Sequence, residues 1–214
     1  MHFLFSDILP ADPAGGDQSL ARCFEETLAQ ADGLEIAVGY IAQSSLEELA
    51  RLAERQGLRH ILLLLGMYRE DGMPQRLHEC ALCINEDWRR RRCGEIRIIM
   101  PMSYHGKVYC FYKDDVPFAA IMGSPNLTFL RPDAAHARHC EAAAFHDEPA
   151  ACQALAAQLH WLAGADVSAD ISLVRDLYLY PDESVSALSA RDTGRQLIRS
   201  AAAPQLCLRP DPDC

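Results

Sequence analysis

The sequence has no long hydrophobic run. Its longest, Ile61 to Met67 (ILLLLGM), has seven residues, whereas a membrane-spanning helix needs about 18 or more. It also lacks the basic first segment of a secretory signal, and Ser6 and Asp7 interrupt its first apolar stretch. Nine cysteines, an odd number in a chain of 214 residues, do not indicate a disulfide framework. These absences predict a cytoplasmic protein with free thiols and no membrane partner.

Positive charge is also scarce. The chain has 20 Lys and Arg against 30 Asp and Glu, a formal net charge of −10. Because affinity for nucleic acid relies on cations that neutralise phosphates, this balance excludes a protein whose whole surface grips nucleic acid, but it leaves room for a local basic cleft. The run from Arg89 to Arg92 favours a solvated helix end over a binding patch.

The apolar pattern predicts an α/β fold. Leu20, Phe24 and Leu28 share one face of a helix, the apolar segment 34–41 is typical of a buried strand, and a helix that Gly57 ends precedes a second buried strand over 59–67. Strand, helix and strand with short links indicate a βαβ unit. Further strands are predicted over 95–102, 106–113, 116–123 and 140–146, with helices over 74–91 and 149–161. After residue 166 the pattern weakens: 177–180 can form a strand, and the last fifteen residues are typical of a tail.

The candidate catalytic residues lie in the stretch from Tyr104 to Leu127, YHGKVYCFYKDDVPFAAIMGSPNL. His105 and Lys107 are two residues apart, so on a strand they point to the same face. A predicted hairpin then leads to the polar turn Gly123-Ser-Pro-Asn126. A nucleophile or base beside a fixed cation, next to such a turn, indicates phosphate chemistry.

Together, His105-Gly-Lys107 and the Gly123–Asn126 turn resemble the HxK…GSxN core of the phospholipase D superfamily. The segment EIAVGYIAQSSLEEL and the strand that ends in Leu65-Gly66-Met67 are similar to its metal-independent restriction-endonuclease branch, so that the resemblance covers about residues 34–161. It implies a phospholipase D-like mixed β-sheet flanked by helices, with one motif per chain. The sequence departs from the superfamily's fuller pattern at Tyr112, where an Asp is expected five residues after the Lys; Asp114 and Asp115 are out of register.

The resemblance implies a role for five residues. His105 is the expected nucleophile, which forms a phosphohistidine. Lys107 and Asn126 are expected to stabilise the phosphate oxygens, and Ser124 to donate a hydroxyl hydrogen bond in the same site. Glu141, in the hydrophobic stretch 140–145, is the candidate to hold the second ring nitrogen of the histidine.

The leaving oxygen also needs a proton, and family members either carry two motifs or dimerise. This chain has one motif and no internal repeat, so the resemblance implies a homodimer in which one His105 attacks and the other acts as general acid. It also implies a hydrolase that cuts DNA without a metal or other cofactor. Residues 1–165 are predicted to form the catalytic domain. Residues 166–214 form an extension that is too short for a full recognition domain and is expected to contact the dimer or a separate specificity subunit.

Two other functions remain open. A phospholipid hydrolase or phosphatidyltransferase needs a membrane-facing apolar element, and none stands out. A catalytically silent dimeric module that binds nucleic acid needs none of the intact motif residues.

Three other groups of residues have a plainer interpretation. Cys80 and Cys83, between His78 and Cys93, have metal-ligand spacing, but core packing is favoured because Cys80 shares the apolar helix face. His136, His139 and Cys140 favour a solvated segment over a zinc site. Tyr178 and Tyr180 can stack on bases, although tyrosines in a core or an interface are more common.

Overall fold

The apolar runs form the strands of one large sheet in the computed structural model, which describes residues 1–6, 19–131 and 140–182. The strands are β1 His2–Phe5, β2 Gly33–Val38, β3 His60–Leu65, β4 Met73–Pro74, β5 Gly94–Ile99, β6 Val108–Lys113, β7 Val116–Gly123, β8 Ala142–His146, β9 Ser168–Asp170 and β10 Leu179–Tyr180. The helices are α1 Leu20–Leu28, α2 Gln43–Gln56, α3 Tyr68–Asp71, α4 Gln75–Arg90 and α5 Pro149–Leu162.

Eight strands form a mixed sheet in the order β1-β8-β7-β6-β2-β3-β5-β9. The central strands β2, β3 and β5 are parallel, and α2 and α4 connect them. The strands on both flanks run antiparallel to their neighbours. Strands β4 and β10 form a separate parallel pair. The predicted βαβ unit and the predicted α/β class are both confirmed.

Helices cover both faces of the sheet because the central strands are apolar on both faces. Apolar residues of α1, α2 and α4 pack on one face in a single core with Ile36 and Val38. Helix α5 packs on the other face, where Cys152, Ala156 and Leu159 contact a smaller core that includes Ala37.

Local signals mark three of the helix ends. The Ser19 hydroxyl accepts a hydrogen bond from the backbone N–H of Arg22 at the start of α1, and Gly57 ends α2 in the left-handed region with φ +63°. Pro149 opens α5, as expected.

The structure corrects one predicted strand and adds three: β1, β4 and β9. The strand predicted over 106–113 begins only at Val108, so His105 and Lys107 precede it. Strand β1 is an addition, since only its pairing with β8 makes this short N-terminal segment a strand. Strand β9 pairs with β5 at the sheet edge. The predicted domain boundary at residue 165 therefore falls before the last strand of the sheet.

Among the described residues, no helix has the length and apolarity to cross a membrane. His136, His139 and the predicted tail lie outside the described residues.

Candidate active site

A connection across the end of the sheet positions the predicted nucleophile. Strand β5 lies beside β3 and β6 lies beside β2, so residues 100–107 must cross the ends of β3 and β2. At each crossing the sequence has a glycine. A Cβ on Gly66 would lie 2.1 Å from the Tyr104 carbonyl oxygen, and one on Gly39 would lie 3.2 Å from Cδ2 of His105. The N–H of Tyr104 donates to the Gly66 carbonyl at 3.0 Å. The two glycines thus allow the connection to lie directly against the strand ends.

Backbone hydrogen bonds bring the other motif residues to the same end of the sheet. Strand β6 starts there, β7 ends there and β8 starts there. The N–H of Gly123 donates to the Lys107 carbonyl at 3.1 Å, and the N–H of Ser124 donates to the Ala142 carbonyl at 3.0 Å. Lys107, Ser124 and Glu141 are therefore held by adjacent strands, although they are far apart in sequence.

His105 and Lys107 form a direct pair. The Nζ of Lys107 lies 3.0 Å from Nδ1 and 3.2 Å from Nε2 of the His105 ring, and it donates to the His105 carbonyl at 2.6 Å. His105 is exposed, whereas Lys107 is only 4% exposed. Burial lowers the pKa of Lys107, and the negative charge of Glu141 partly opposes this shift. The site thus presents an accessible imidazole beside a desolvated cation.

The side chain of Asn126 has a defined orientation. The backbone N–H of Tyr40 donates to its Oδ1 at 3.2 Å. The acceptor end of the amide is thereby occupied, which directs the Nδ2 donors the other way. Tyr109 supports the same turn, because its buried hydroxyl donates to the Pro125 carbonyl at 2.6 Å.

Glu141 contacts Ser124. The Ser124 hydroxyl donates to the Glu141 carboxylate and accepts from the N–H of Ala142 at 3.1 Å. Ser6, at the end of β1, accepts from the N–H of Glu141 at 2.7 Å. Within the part of the chain that the structure describes, the side-chain hydrogen bond of Glu141 goes to Ser124 and not to the ring of His105, which was its expected partner. Its charge nevertheless acts on Lys107.

Sequence reasoning missed Tyr40 as part of this site. Its ring lies edge-on to the His105 ring, with 6.2 Å between centroids, and its hydroxyl donates to Asp71. The buried Tyr68 packs edge-on against Tyr40 at 5.6 Å and fixes the backbone of Ile41 on both sides. The sequence predicted a strand over 34–41 that includes Tyr40, whereas β2 ends at Val38, so no local signal placed Tyr40 in the site.

Tyr112, which stands where the superfamily pattern has an Asp, faces a carboxylate on the neighbouring strand. Its hydroxyl donates to Glu35 Oε2 at 2.6 Å. The other oxygen, Oε1, lies 2.8 Å from His60 Nε2 and 3.1 Å from His160 Nε2. Glu35 is buried. Glu35, an acid on β2, thus lies beside Tyr112 at the opposite end of the sheet from His105.

Opposing effects set the pKa values in this cluster. Burial favours a higher pKa for Glu35, but hydrogen bonds from His60 and Tyr112 and the nearby histidine charges hold it below its ordinary value. The hydrogen bond with Glu35 raises the pKa of His60 despite partial burial. Both shifts favour the ionised pair.

The arginine run and Cys80 do not join the site. Arg89, Arg90 and Arg91 are ion-paired with neighbouring acidic residues at the end of α4. Cys80 packs partly against the core, and burial together with Glu47 raises its pKa to about 11. Among the described residues, no group of three or more His, Cys, Asp or Glu side chains is placed to hold a metal ion.

Comparisons with known proteins agree with this geometry. Residues 18–176 match the family model of the NgoFVII restriction endonuclease N-terminal PLD domain, where PLD denotes phospholipase D. A sequence search among curated proteins found no match.

Two solved structures share the fold at low sequence identity. Phosphatidylserine synthase from Haemophilus influenzae Rd KW20 superposes with a TM-score of 0.51 at 15% identity, over 92% of this chain and 46% of the synthase. Polyphosphate kinase from Porphyromonas gingivalis superposes with a TM-score of 0.50 at 14% identity, over 76% of this chain and 26% of the kinase. The chain therefore spans less than half of either protein, and the likeness shows the phospholipase D fold alone.

Proposed function

The chain belongs to the NgoFVII restriction endonuclease family of PLD domains, and from this membership we propose that it is a phosphodiesterase that cuts nucleic acid, as a metal-independent DNA endonuclease. One observation carries the proposal: His105, Lys107 and Asn126 meet at one end of the sheet, with the imidazole exposed and the ammonium beside it. The intact motif favours an enzyme over a catalytically inactive module that only binds nucleic acid.

In the proposed first step, a ring nitrogen of His105 attacks the phosphorus of a phosphodiester. A P–N bond forms, the P–O bond to the leaving strand breaks, and the leaving oxygen takes a proton from His105 of the partner subunit. In the second step a water molecule, deprotonated by the same partner histidine, attacks the phosphorus and releases His105. The step needs two histidines, which is why a homodimer is part of the proposal.

Lys107 and Asn126 are suited to hold the phosphate oxygens. The buried ammonium is already directed towards the His105 ring, and the Asn126 donors are left to face a ligand because Oδ1 accepts from Tyr40. Preorganised donors of this kind each supply about 2.7–4 kcal/mol to a transition state in which charge builds on oxygen. Ser124 keeps the Glu141 carboxylate beside this cluster, where its charge favours the protonated form of Lys107.

Base specificity is assigned to a separate element in this proposal. In this proposal His105, Lys107 and Asn126 act on one phosphate group, and none of the five site residues reads a base. We therefore assign specificity to a partner subunit or to the extension from residue 166 onward, of which β9 is part of the sheet.

The test is cleavage of plasmid DNA, single-stranded DNA and RNA in excess EDTA by the wild type and by His105→Ala. We expect the wild type to cut and the variant to lose activity by at least about 10³-fold, because it has lost the nucleophile. His2→Ala is a matched control, since His2 is exposed on β1 and lies at the opposite end of that strand from Ser6.

A trapped intermediate gives a second readout. Acid-labile, base-stable label from 32P-substrate on the wild type and none on His105→Ala would support a phosphohistidine. A folded dimer that cuts no nucleic acid under these conditions, or a His105→Ala variant that still cuts, would contradict the proposal and turn attention to lipid phosphodiesters.

A further inference from the structure

Two neighbouring tyrosines, one exposed and one half-buried, lie at strand β10. Tyr178, which is 67% exposed, and Tyr180 have ring centroids 6.3 Å apart; together they are called the tyrosine platform here. Strand β10 places them by pairing with β4, and the N–H of Met73 donates to the Tyr178 carbonyl at 2.8 Å. The backbone of the platform is therefore fixed, although the Tyr178 ring faces solvent.

The chain makes specific room for the exposed ring. Gly72 has φ +78°, and a Cβ at this position would lie 2.5 Å from Cδ1 of Tyr178. Glycine is thus required twice, for the backbone conformation and for the close approach of the ring. Because Gly72 permits this close approach, the Tyr178 ring is held in position before any ligand binds. A rigid aromatic side chain of this kind binds at low entropic cost.

A series of neighbouring residues connects the platform with His105. The Tyr40 ring contacts the His105 ring, the Tyr40 hydroxyl donates to Asp71, and Asp71 is followed by Gly72, on which Tyr178 lies. Burial and the charges of Asp71 and Asp182 raise the pKa of Tyr180. The platform is therefore linked to His105 through Tyr40, Asp71 and Gly72.

We propose that the tyrosine platform stacks on unpaired nucleobases next to the scissile phosphate, so that the substrate is a nucleic acid with unpaired nucleotides at the cleavage point. This inference rests on the proposed nuclease function and adds its substrate class. Base–aromatic stacking is sequence-tolerant, and the base faces it uses are covered in a continuous duplex.

The charge of the protein supports the same conclusion. With a net charge of −10, the chain gains little from neutralising phosphates along a strand, so its affinity needs a source other than cations. The carboxylate of Asp71 disfavours a phosphate at the platform, whereas a carboxylate can accept hydrogen bonds from base amino groups. The charge of Asp182 is balanced by Arg76, whose Nε lies 3.5 Å from Oδ2. Bases rather than phosphates are therefore the suitable occupants.

The test measures binding of a fluorescent oligothymidine and of a blunt duplex of equal length to dimers that carry His105→Ala, which prevents cleavage. Adding Tyr178→Ala should weaken oligothymidine binding roughly 5- to 100-fold, whereas Tyr178→Phe should retain it because the ring can still stack. Trp161→Ala is the matched control, since Trp161 is a 57% exposed aromatic residue near the opposite end of the sheet. Oligothymidine should bind more tightly than the duplex.

The results separate this inference from the proposed function. The stacking role of the platform is wrong if Tyr178→Ala binds oligothymidine as tightly as the parent protein does. It is also wrong if the duplex binds as tightly as oligothymidine. Both conclusions hold even if the wild type cuts DNA. If the wild type cuts no nucleic acid in EDTA but oligothymidine binding still depends on Tyr178, the proposed nuclease function is wrong and the stacking role of the platform is retained.

Discussion

At the residue scale, the most informative feature is a lysine that is almost completely buried without a carboxylate partner at hydrogen-bond distance among the described residues. Burying an ammonium is costly unless it is compensated. The hydrogen bond of Lys107 to the His105 carbonyl compensates only in part, and burial still lowers its pKa. A phosphate oxygen would supply the missing negative partner. Burial disfavours the charged form of Lys107 in the free protein, but the low local dielectric constant also strengthens the attraction between that charge and a phosphate.

The shifted pKa of Lys107 predicts an alkaline limit to activity. A lysine with a lowered pKa loses its proton at a pH below the ordinary 10.5, so kcat/KM, which reports the free protein, should fall on the alkaline side of the profile below that pH. Lys107→Arg should be less active near neutral pH, because the guanidinium has another shape. The pH profile of kcat/KM for Lys107→Arg should not show this alkaline fall, because arginine stays protonated. The same alkaline limb in Lys107→Arg would show that another group titrates.

At the element scale, the site depends on the connection from β5 to β6 more than on any helix or strand. The sequence predicted most helices and strands because their signals are local: apolar spacing for α1 and α2, the helix end at Gly57, and the turn between β6 and β7. It predicted the motif residues by resemblance. It placed His105 and Lys107 on a strand because a crossing segment of extended residues has the same pattern as a strand; only the sheet order shows the difference.

Contacts between distant residues were not predictable from the sequence. Tyr112 and Glu35 are 77 positions apart, and no local sequence pattern around either residue indicates that the two side chains are in contact. Ser6 and Glu141 are held together only because β1 joins β8. Tyr40 enters the site because it follows β2 and meets the crossing connection. In each case the strand order had to be known first.

Gly66 is the position that tests this view of the connection. In Gly66→Ala, the new Cβ meets the backbone of Tyr104, so residues 100–107 must move. We expect a loss of stability of about 1–3 kcal/mol and, since a displacement of about 1 Å misplaces a catalytic group, a fall in kcat of roughly 100-fold. Thermal unfolding and cleavage rates measure the two effects.

Gly57→Ala is the control for Gly66→Ala. Gly57 also adopts a positive φ, at the end of α2, and a Cβ there meets no atom within 4 Å. Its substitution should cost about 1–2 kcal/mol of stability through the left-handed conformation alone and leave kcat unchanged. Equal losses of kcat in the two variants would mean that activity follows global stability and not the position of the connection.

At the scale of the whole molecule, one chain provides half of the proposed chemistry. The described residues contain one HxK…GSxN motif, and the covalent step needs a second proton-transfer group. The site is accessible at one end of the sheet, where His105 and Ser124 are both exposed. A second copy facing this end would bring two imidazoles together and would also close the site against water, which strengthens the attraction between Lys107 and a phosphate.

Mixed dimers test whether the two histidines share one site. Wild-type and His105→Ala chains are unfolded together at equal amounts and refolded, so that about a quarter of the dimers carry two wild-type chains if assortment is random. A shared site that needs both histidines predicts about a quarter of the wild-type activity, whereas independent sites predict about half. Sedimentation should first show a mass near twice 23.8 kDa for every sample. A monomer with full activity would contradict the shared site, because the proton for the leaving oxygen would then have to come from another group of the same chain.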